Sequence, residues 1–582
     1  MNALLLKNVC LMGAVISLLA SAANGQNQPA AKEDQSAKVI SGKVSTSDNQ
    51  PLTNARIMVG RVMTNAQPQA QNVSVNSDGA FQTRPLEPGL YFVSPYAPGL
   101  IRDASGPTTG PYFRPGDTVD FKMIKGGVIT GSVKNSNGDG LVAIPVRAIR
   151  VRNQNGDPVP VTSSMREMMT DDRGIYRLYG LPAGTYIVSA GGQSRPFALA
   201  PTAYEGYVPT YAPSATRDTA MEIQVTSGSE SQADIQFREE RGHAISGTVI
   251  GAATSQGPQQ WAAGITLFDV RNRAEVATTS AFSAGNFSFA VYGVPDGDYE
   301  LSAQQSSSTN DQAASPAVRI KVQGDDVTGV KLTVAPLASL EGKVIFESDP
   351  KPSCGKHRAS ALVETVINGR RYEPRQPSKD APPSDVPTMA RSLNHSTAVD
   401  ASGVFNFKNL QAGTYQIEPQ APASGWYARS IALTSRNSAA NLSRDGVVLK
   451  RGDHVTGLTV TFAEGAARLK GRLTAGEGQS LPLKLRVYLV PEEREATGNL
   501  YRFYEAAAEN DGTFTLDNLA PGKYLIVARR AEVDDVGTIK LIRQDETLRA
   551  TVLKEAEALK KAVAFKPCEQ VADFDLSYVS PR

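Results

Sequence analysis

Residues 171–188 read DDRGIYRLYGLPAGTYIV, and the same order of glycine, aromatic, glycine and tyrosine returns four more times along the chain. The other copies are NSDGAFQTRPLEPGLYFV (76–93), FSAGNFSFAVYGVPDGDYEL (282–301), DASGVFNFKNLQAGTYQI (400–417) and ENDGTFTLDNLAPGKYLI (509–526). In each, an aromatic side chain follows the first glycine by two places: Phe81, Tyr176, Phe287, Phe405 and Phe514. Each then closes on Gly-x-Tyr, at Tyr91, Tyr186, Tyr299, Tyr415 and Tyr524. The glycine-to-glycine spacing is 10, except for 12 in the copy at 282–301. Repetition at this scale marks tandem structural units.

Alternation within each copy predicts strands. Side chains two apart share one face of a strand, so Tyr176/Leu178, Phe287/Phe289, Phe405/Phe407 and Phe514/Leu516 face a core, with Phe81/Thr83 the weakest pair. The second strand repeats the pattern as tyrosine-x-aliphatic, from Tyr91/Val93 to Tyr524/Ile526. One dry and one wet face is the habit of antiparallel sheets in a sandwich. A glycine-bearing strand precedes each copy, as in Ile40-Ser41-Gly42-Lys43-Val44 or Leu469-Lys470-Gly471-Arg472-Leu473. An alternating strand follows, as in Leu458-Thr459-Val460-Thr461-Phe462. Short strands at regular spacing with turn signals predict an all-β sandwich protein.

The segments GKVSTSDNQPLTNARIMV (42–59) and GSVKNSNGDGLVAIPV (131–146), with their downstream D-x-x-G-x-F/Y and G-x-Y, resemble carboxypeptidase regulatory-like domains. The resemblance implies five tandem transthyretin-like, Ig-like Greek-key β-sandwiches in an elongated array. It implies structural, binding or accessory modules of the bacterial cell envelope. Expected boundaries are 38–123, 124–241, 242–335, 338–464 with a Pro-rich insertion at 373–389, and 466–582 with an amphipathic helix at 545–563. The helix rests on a stripe of Leu548, Val552, Leu559 and Val563, widened by Leu553 and Ala556, with Glu557 and Lys561 as an i,i+4 pair. Residues 304–317 read as a loop, and the short linkers predict a semi-rigid rod.

Residues 1–25 read as a signal peptide: Lys7, an apolar run from Val9 to Leu19, then small residues up to Gly25. The run is short for a membrane span, and Cys10 lies inside it, which argues against a lipoprotein anchor. Residues 26–37 form a polar leader, and no later stretch reads as transmembrane. Expected localisation is therefore exported: periplasm, outer envelope surface or secreted. Removal of Cys10 leaves Cys354 and Cys568, which either pair as a disulfide across 214 residues or stay as two buried thiols.

Charge excludes a nucleic-acid partner as the main reading: 60 Lys and Arg against 58 Asp and Glu leave +2. Four histidines, in the contexts His243-Ala-Ile-Ser, His357-Arg-Ala-Ser, His395-Ser-Thr-Ala and His454-Val-Thr-Gly, give no zinc-peptidase spacing. The pairs Asp171-Asp172 and Asp325-Asp326 lack calcium-loop spacing and read as turns. No cofactor, metal or catalytic residue is assigned. The candidate ligand-binding aromatics lie outside the repeat: Tyr204, Tyr207 and Tyr211 in AYEGYVPTYAP, then Trp261, Trp426 and Tyr427. They could instead cover a sheet edge or fill a domain interface. The leading expectation is a non-catalytic exported scaffold or adhesion module that meets a protein or polysaccharide of the envelope. A carbohydrate-binding protein using these Tyr/Trp loops is second, and an unrecognised hydrolase third.

Overall fold

The computed structural model describes residues 38–62, 70–103, 112–159, 165–192, 203–251, 262–271, 274–282, 286–306, 312–348, 354, 362–372, 394–434, 441–476, 480–482, 484–533 and 539–579. The expected signal peptide and leader, the expected insertion 373–389 and Trp261 lie outside them. The chain forms five tandem β-sandwiches, each with its own dry core.

The modules share one topology. The glycine-bearing first strand lies between the aromatic strand, antiparallel, and the closing strand, parallel. In module one, Ser41–Thr46 pairs with Ala80–Gln82 and Phe121–Lys125. In module two, Gly127–Lys134 pairs with Ile175–Leu181, and with the short segments Glu230–Gln232 and Ile235–Gln236. His243–Ile250 lies between Ser288–Val294 and Val327–Thr333. Ala338–Glu347 lies between Val404–Leu410 and His454–Glu464. Ala467–Thr474 lies between Thr513–Leu519 and Gln570–Ser577. The facing sheet is built on Arg56–Arg61, Pro145–Asn153, Ala262–Asp269, Val366–Tyr372 and Leu485–Pro491, each paired with its Gly-x-Tyr strand. Module one's closing strand runs two residues past the boundary expected at 123.

The repeated glycine of the first strand has a spatial cause. A Cβ at Gly42, Gly131, Gly247, Gly342 or Gly471 would stand 1.8, 2.1, 1.9, 2.7 and 2.4 Å from a carbonyl oxygen in or immediately beside the closing strand. The aromatic residue sits directly across: Phe81, Tyr176, Phe289, Phe405 and Phe514. A ring leaning over a cross-strand glycine fills the space that its missing side chain leaves. In module three the paired residue is Phe289, so Phe287 is not the counterpart of the other aromatics. Phe287 has a φ of 54° in the turn and is only half-buried. The longer hairpin adds its two residues before the strand, and all five modules then keep eight residues from aromatic to glycine.

Every Gly-x-Tyr tyrosine makes the same bond. The hydroxyls of Tyr91, Tyr186, Tyr299, Tyr415 and Tyr524 donate to the carbonyls of Glu87, Pro182, Pro295, Gln411 and Ala520, four residues back, at 2.7–3.0 Å. This is a tyrosine corner, which satisfies a phenol inside an apolar core. Burial pushes the phenols of Tyr186 and Tyr415 up to about 12 and raises those of Tyr299 and Tyr524 as well. In the unfolded chain these groups ionise near pH ~10. Their contribution to stability is therefore complete below that value and is lost as pH rises through about 10 to 12. Unfolding monitored by tyrosinate absorbance should show a midpoint that falls across this window; a flat midpoint would mean the corners are open to water.

A second repeated feature sits four residues after the aromatic. Gly180, Gly293, Asn409 and Asn518 all have positive φ, between 56° and 71°, and mark a β-bulge in the aromatic strand. Pro85 stands at this position in module one. Two of these bulges, at Gly293 and Asn409, are also where modules meet. A Cβ on Gly293 would lie 2.5 Å from Tyr207 O of module two. Asn409 Oδ1 accepts a bond from Gln312 N of module three, at 2.8 Å. The strand Trp426–Leu433 of module four packs on Thr513–Leu519 of module five.

Modules four and five share the most extensive joint. Tyr501 is buried and its hydroxyl donates to Ile417 O at 2.8 Å; Leu500 N donates to Ser443 Oγ and Asn441 Nδ2 to Gly498 O. Cys354 and Cys568 are joined there as a disulfide, with their Cα atoms 4.9 Å apart. The helix spans Glu546–Leu559, capped by Asp545, whose side chain accepts from Leu548 N at 2.7 Å. Leu548, Val552 and Ala556 cover the outer face of module five and form a second core with Tyr488, Phe503 and Val527. The helix stops earlier than its apolar stripe suggested. Leu559 is exposed, Lys560 takes a left-handed cap, and Val563 belongs to the strand Ala562–Phe565. Lys561 therefore makes no helical pair with Glu557; its ammonium stands over the Phe574 ring. Within 304–317, strands Gly297–Ser306 and Gln312–Ala314 replace much of the expected loop.

Contacts also join modules that are not neighbours in sequence. Arg114 of module one lies 2.8 Å from Glu364 of module four and also donates to Pro422 O. Lys484 of module five lies 2.8 Å from Asp157 of module two. These bonds modify the simple end-to-end rod expected from short linkers: the array bends back to bring modules one and four, and two and five, together.

Candidate functional site

The Tyr/Pro segment of module two leads to the joint with module three. Tyr204 and Tyr207 are half-buried and meet Phe237 edge-on, at 6.0 and 5.9 Å between ring centres. The Arg241 guanidinium lies 4.8 Å over the Tyr207 ring. Both rings thus cap the core of module two. Tyr211 differs: Thr210–Tyr211 pairs with Gly184–Ala190, and its half-buried ring faces a cleft. Trp426 is 7% exposed and packs edge-on against Phe346 at 4.8 Å, inside the core of module four. Tyr427, the next residue of the same strand, is half-buried.

The cleft holds about 250 Å³ between modules two and three. Ile149, Val208 and Pro209 line one side, and Ala274, Val276 and Tyr299 the other. Charged groups project among these apolar walls because both outer sheet faces carry polar residues that the joint half-covers. Arg147, 7% exposed, pairs with Glu167 at 2.8 Å, and its Nη2 has no hydrogen-bond partner. Arg271 meets Asp269 at 3.0 Å and Asp218 at 3.3 Å. Asp296 lies 3.3 Å from His243 Nε2 and accepts a bond from Gly324 N. Burial lifts the Glu275 carboxyl above its usual range, opposed by Arg147 and reinforced by Glu167.

Other polar groups are engaged in the fold. Asp171 Oδ1 accepts from the backbone N–H of Arg173 and Ile175, and these bonds hold its carboxyl below the usual range. Asp326 accepts from Ala244 N. Among the described residues no cluster of three His, Cys, Asp or Glu is placed to hold a metal ion. Ser339 Oγ and His454 Nδ1 share a 2.6 Å hydrogen bond on adjoining strands at the surface, an arrangement that spacing along the chain did not reveal. Arg147, Arg217 and Glu275 also went unnoticed in the sequence. The available signal was Arg147 standing in an otherwise apolar stretch, and Arg217 following closely on the tyrosine segment.

No known family matches the chain, and no curated protein does. Among solved structures, the TIE protein of Bacillus anthracis is 15% identical over 74% of this chain and 76% of that one, with a TM-score of 0.14. The minor pilin GBS52 of Streptococcus agalactiae is 10% identical over 38% and 99%, with a TM-score of 0.19. The shaft pilin SpaA of Lactobacillus rhamnosus GG is 10% identical over 34% and 97%, with a TM-score of 0.17. At these scores the overlays carry no argument about function.

Proposed function

We propose that this chain is an exported, non-catalytic scaffold or adhesion protein of the cell envelope, which meets an envelope protein or polysaccharide through surfaces at its module joints. The observation that carries the reading is the joints themselves. Five separately cored sandwiches are locked by bulge contacts, by a disulfide between modules four and five, and by ion pairs between distant modules. Such locking holds a large surface in fixed geometry, which is what a scaffold needs. The apolar run at residues 9–19 supports export, and the resemblance to regulatory-like modules supports an accessory role.

Cells producing the full chain should place it in the periplasm, on the outer surface or in the medium, and removal of residues 1–37 should keep it in the cytoplasm. The exported protein should turn over no esterase, peptidase or glycosidase substrate. Turnover abolished by Ser339→Ala would replace the scaffold with the hydrolase. The carbohydrate-binding reading is weakened as far as it needs open rings, because Trp426 is buried and Tyr204 and Tyr207 cap a core. Glycan binding that disappears in Tyr211→Ala would restore it.

A further inference from the structure

The cleft between modules two and three is lined by charged side chains of both signs, and two of them make no direct contact with an opposite charge. Arg147, Arg271, Asp218, Asp269 and Asp296 each have a protein partner within 3.3 Å. The side chains of Arg217 and Glu275 are both half-buried and make no direct hydrogen bond or close ion pair among the described residues, though Arg147 lies near enough to act on the Glu275 carboxylate. Withdrawing a charge from water without a partner is costly, so such groups either neutralise or meet an ion from outside. One is a guanidinium from module two and the other a carboxylate from module three, which places complementary charges on the two sides of one joint. Between them the walls are apolar, from Ile149 and Val208 to Val276, with the Tyr211 ring alongside.

We propose that this cleft binds a small zwitterion of amino-acid or dipeptide size. The ligand's carboxylate meets Arg217, its ammonium meets Glu275, and an aliphatic side chain lies against the apolar wall. Size argues for the same class: about 250 Å³ is below the roughly 300–1,000 Å³ of sites for drug-sized ligands. A guanidinium binds a carboxylate through paired parallel N–H donors, and an ammonium ligand gives the half-buried Glu275 a direct partner, where Arg147 is already paired with Glu167. The inference stands apart from the scaffold reading and fails separately from it: a cleft that binds nothing leaves the scaffold untouched.

Calorimetric titration of the exported chain with L-leucine and with glycyl-L-leucine tests it. At least one should bind saturably. Isocaproate, which keeps only the carboxylate, and 3-methylbutylamine, which keeps only the ammonium, should bind at least ~10-fold more weakly. Arg217→Ala and Glu275→Gln should each weaken the zwitterion by ~10-fold or more, and Arg217→Lys should recover part of the loss. Melting temperature separates this role from a structural one. Glu275→Gln should leave it unchanged or raised, because a carboxylate short of partners is removed. No saturable binding, equal binding of a singly charged analogue, or full affinity in Glu275→Gln would each overturn the proposal. A Glu275→Gln variant that melts lower would also overturn it, by showing that the carboxylate serves the fold.

Discussion

Replacing Gly247 by alanine should unfold module three at a temperature more than ~12 °C lower than in the parent chain, a loss of at least ~3 kcal/mol. The added Cβ would stand 1.9 Å from Val330 O and 3.0 Å from the tip of the Phe289 ring. The ring could swing away, but the carbonyl belongs to the parallel closing strand and moves only if the sheet opens. Overpacking against backbone gives the larger penalties seen in cores. Gly264→Ala, in the same module, is the control. Its Cβ would meet only Gln304 O, at 3.9 Å, and it should cost almost nothing. Differential scanning calorimetry of the two variants separates crowding from a general intolerance of alanine. Equal melting of Gly247→Ala and the parent would show that the first strand and the closing strand are not in register.

Reduction of the Cys354–Cys568 bond should destabilise modules four and five by up to ~5 kcal/mol. The bond spans 214 residues, so it removes a large loop-closure entropy from the unfolded chain. Its effect falls mainly on the unfolded ensemble. In the native joint, Tyr501 donating to Ile417 O and Asn441 to Gly498 O keep the two modules seated without it. Guanidinium titration with and without reductant checks this, with Cys568→Ser as a variant that should ignore reductant. An unchanged midpoint for the parent chain would show that the cross-link adds nothing.

The sandwich architecture was legible because burial on one face of a strand forces a period of two, and glycine marks the turns and crowded positions. That logic placed the five tyrosines correctly in their cores. It misplaced one aromatic. Counting from the first glycine picked Phe287, whereas counting back from the Gly-x-Tyr glycine gives Phe289, because the hairpin grows at its turn and not along the paired strand. The helix end was missed for a related reason. Val563 continues the helical stripe, but it is half-buried on a strand, paired with Tyr524. Trp426 lies outside the repeat, which left it open between a ligand-binding ring and a filler of an edge or interface; an extra strand, Trp426–Leu433, carries it into the core of module four.

Joints and cleft were far less legible, since contacts between modules have no periodicity along the chain. Arg217 and Glu275 are 58 residues apart on different modules, and nothing in their local sequence joins them. Arg114 and Glu364 are 250 apart. The bulge residue was visible in principle, as glycine or asparagine before an aliphatic in four copies. It has no amphipathic signature, and its partner lies in the preceding module.

The bulge that receives a neighbour lies on the module's own aromatic strand, at a fixed distance from the ring that fills its core. A stretch of gene encoding one module therefore encodes the seat for its predecessor as well. Modules three and four each carry such a seat, so a unit copied from either would arrive with its own half of a docking contact.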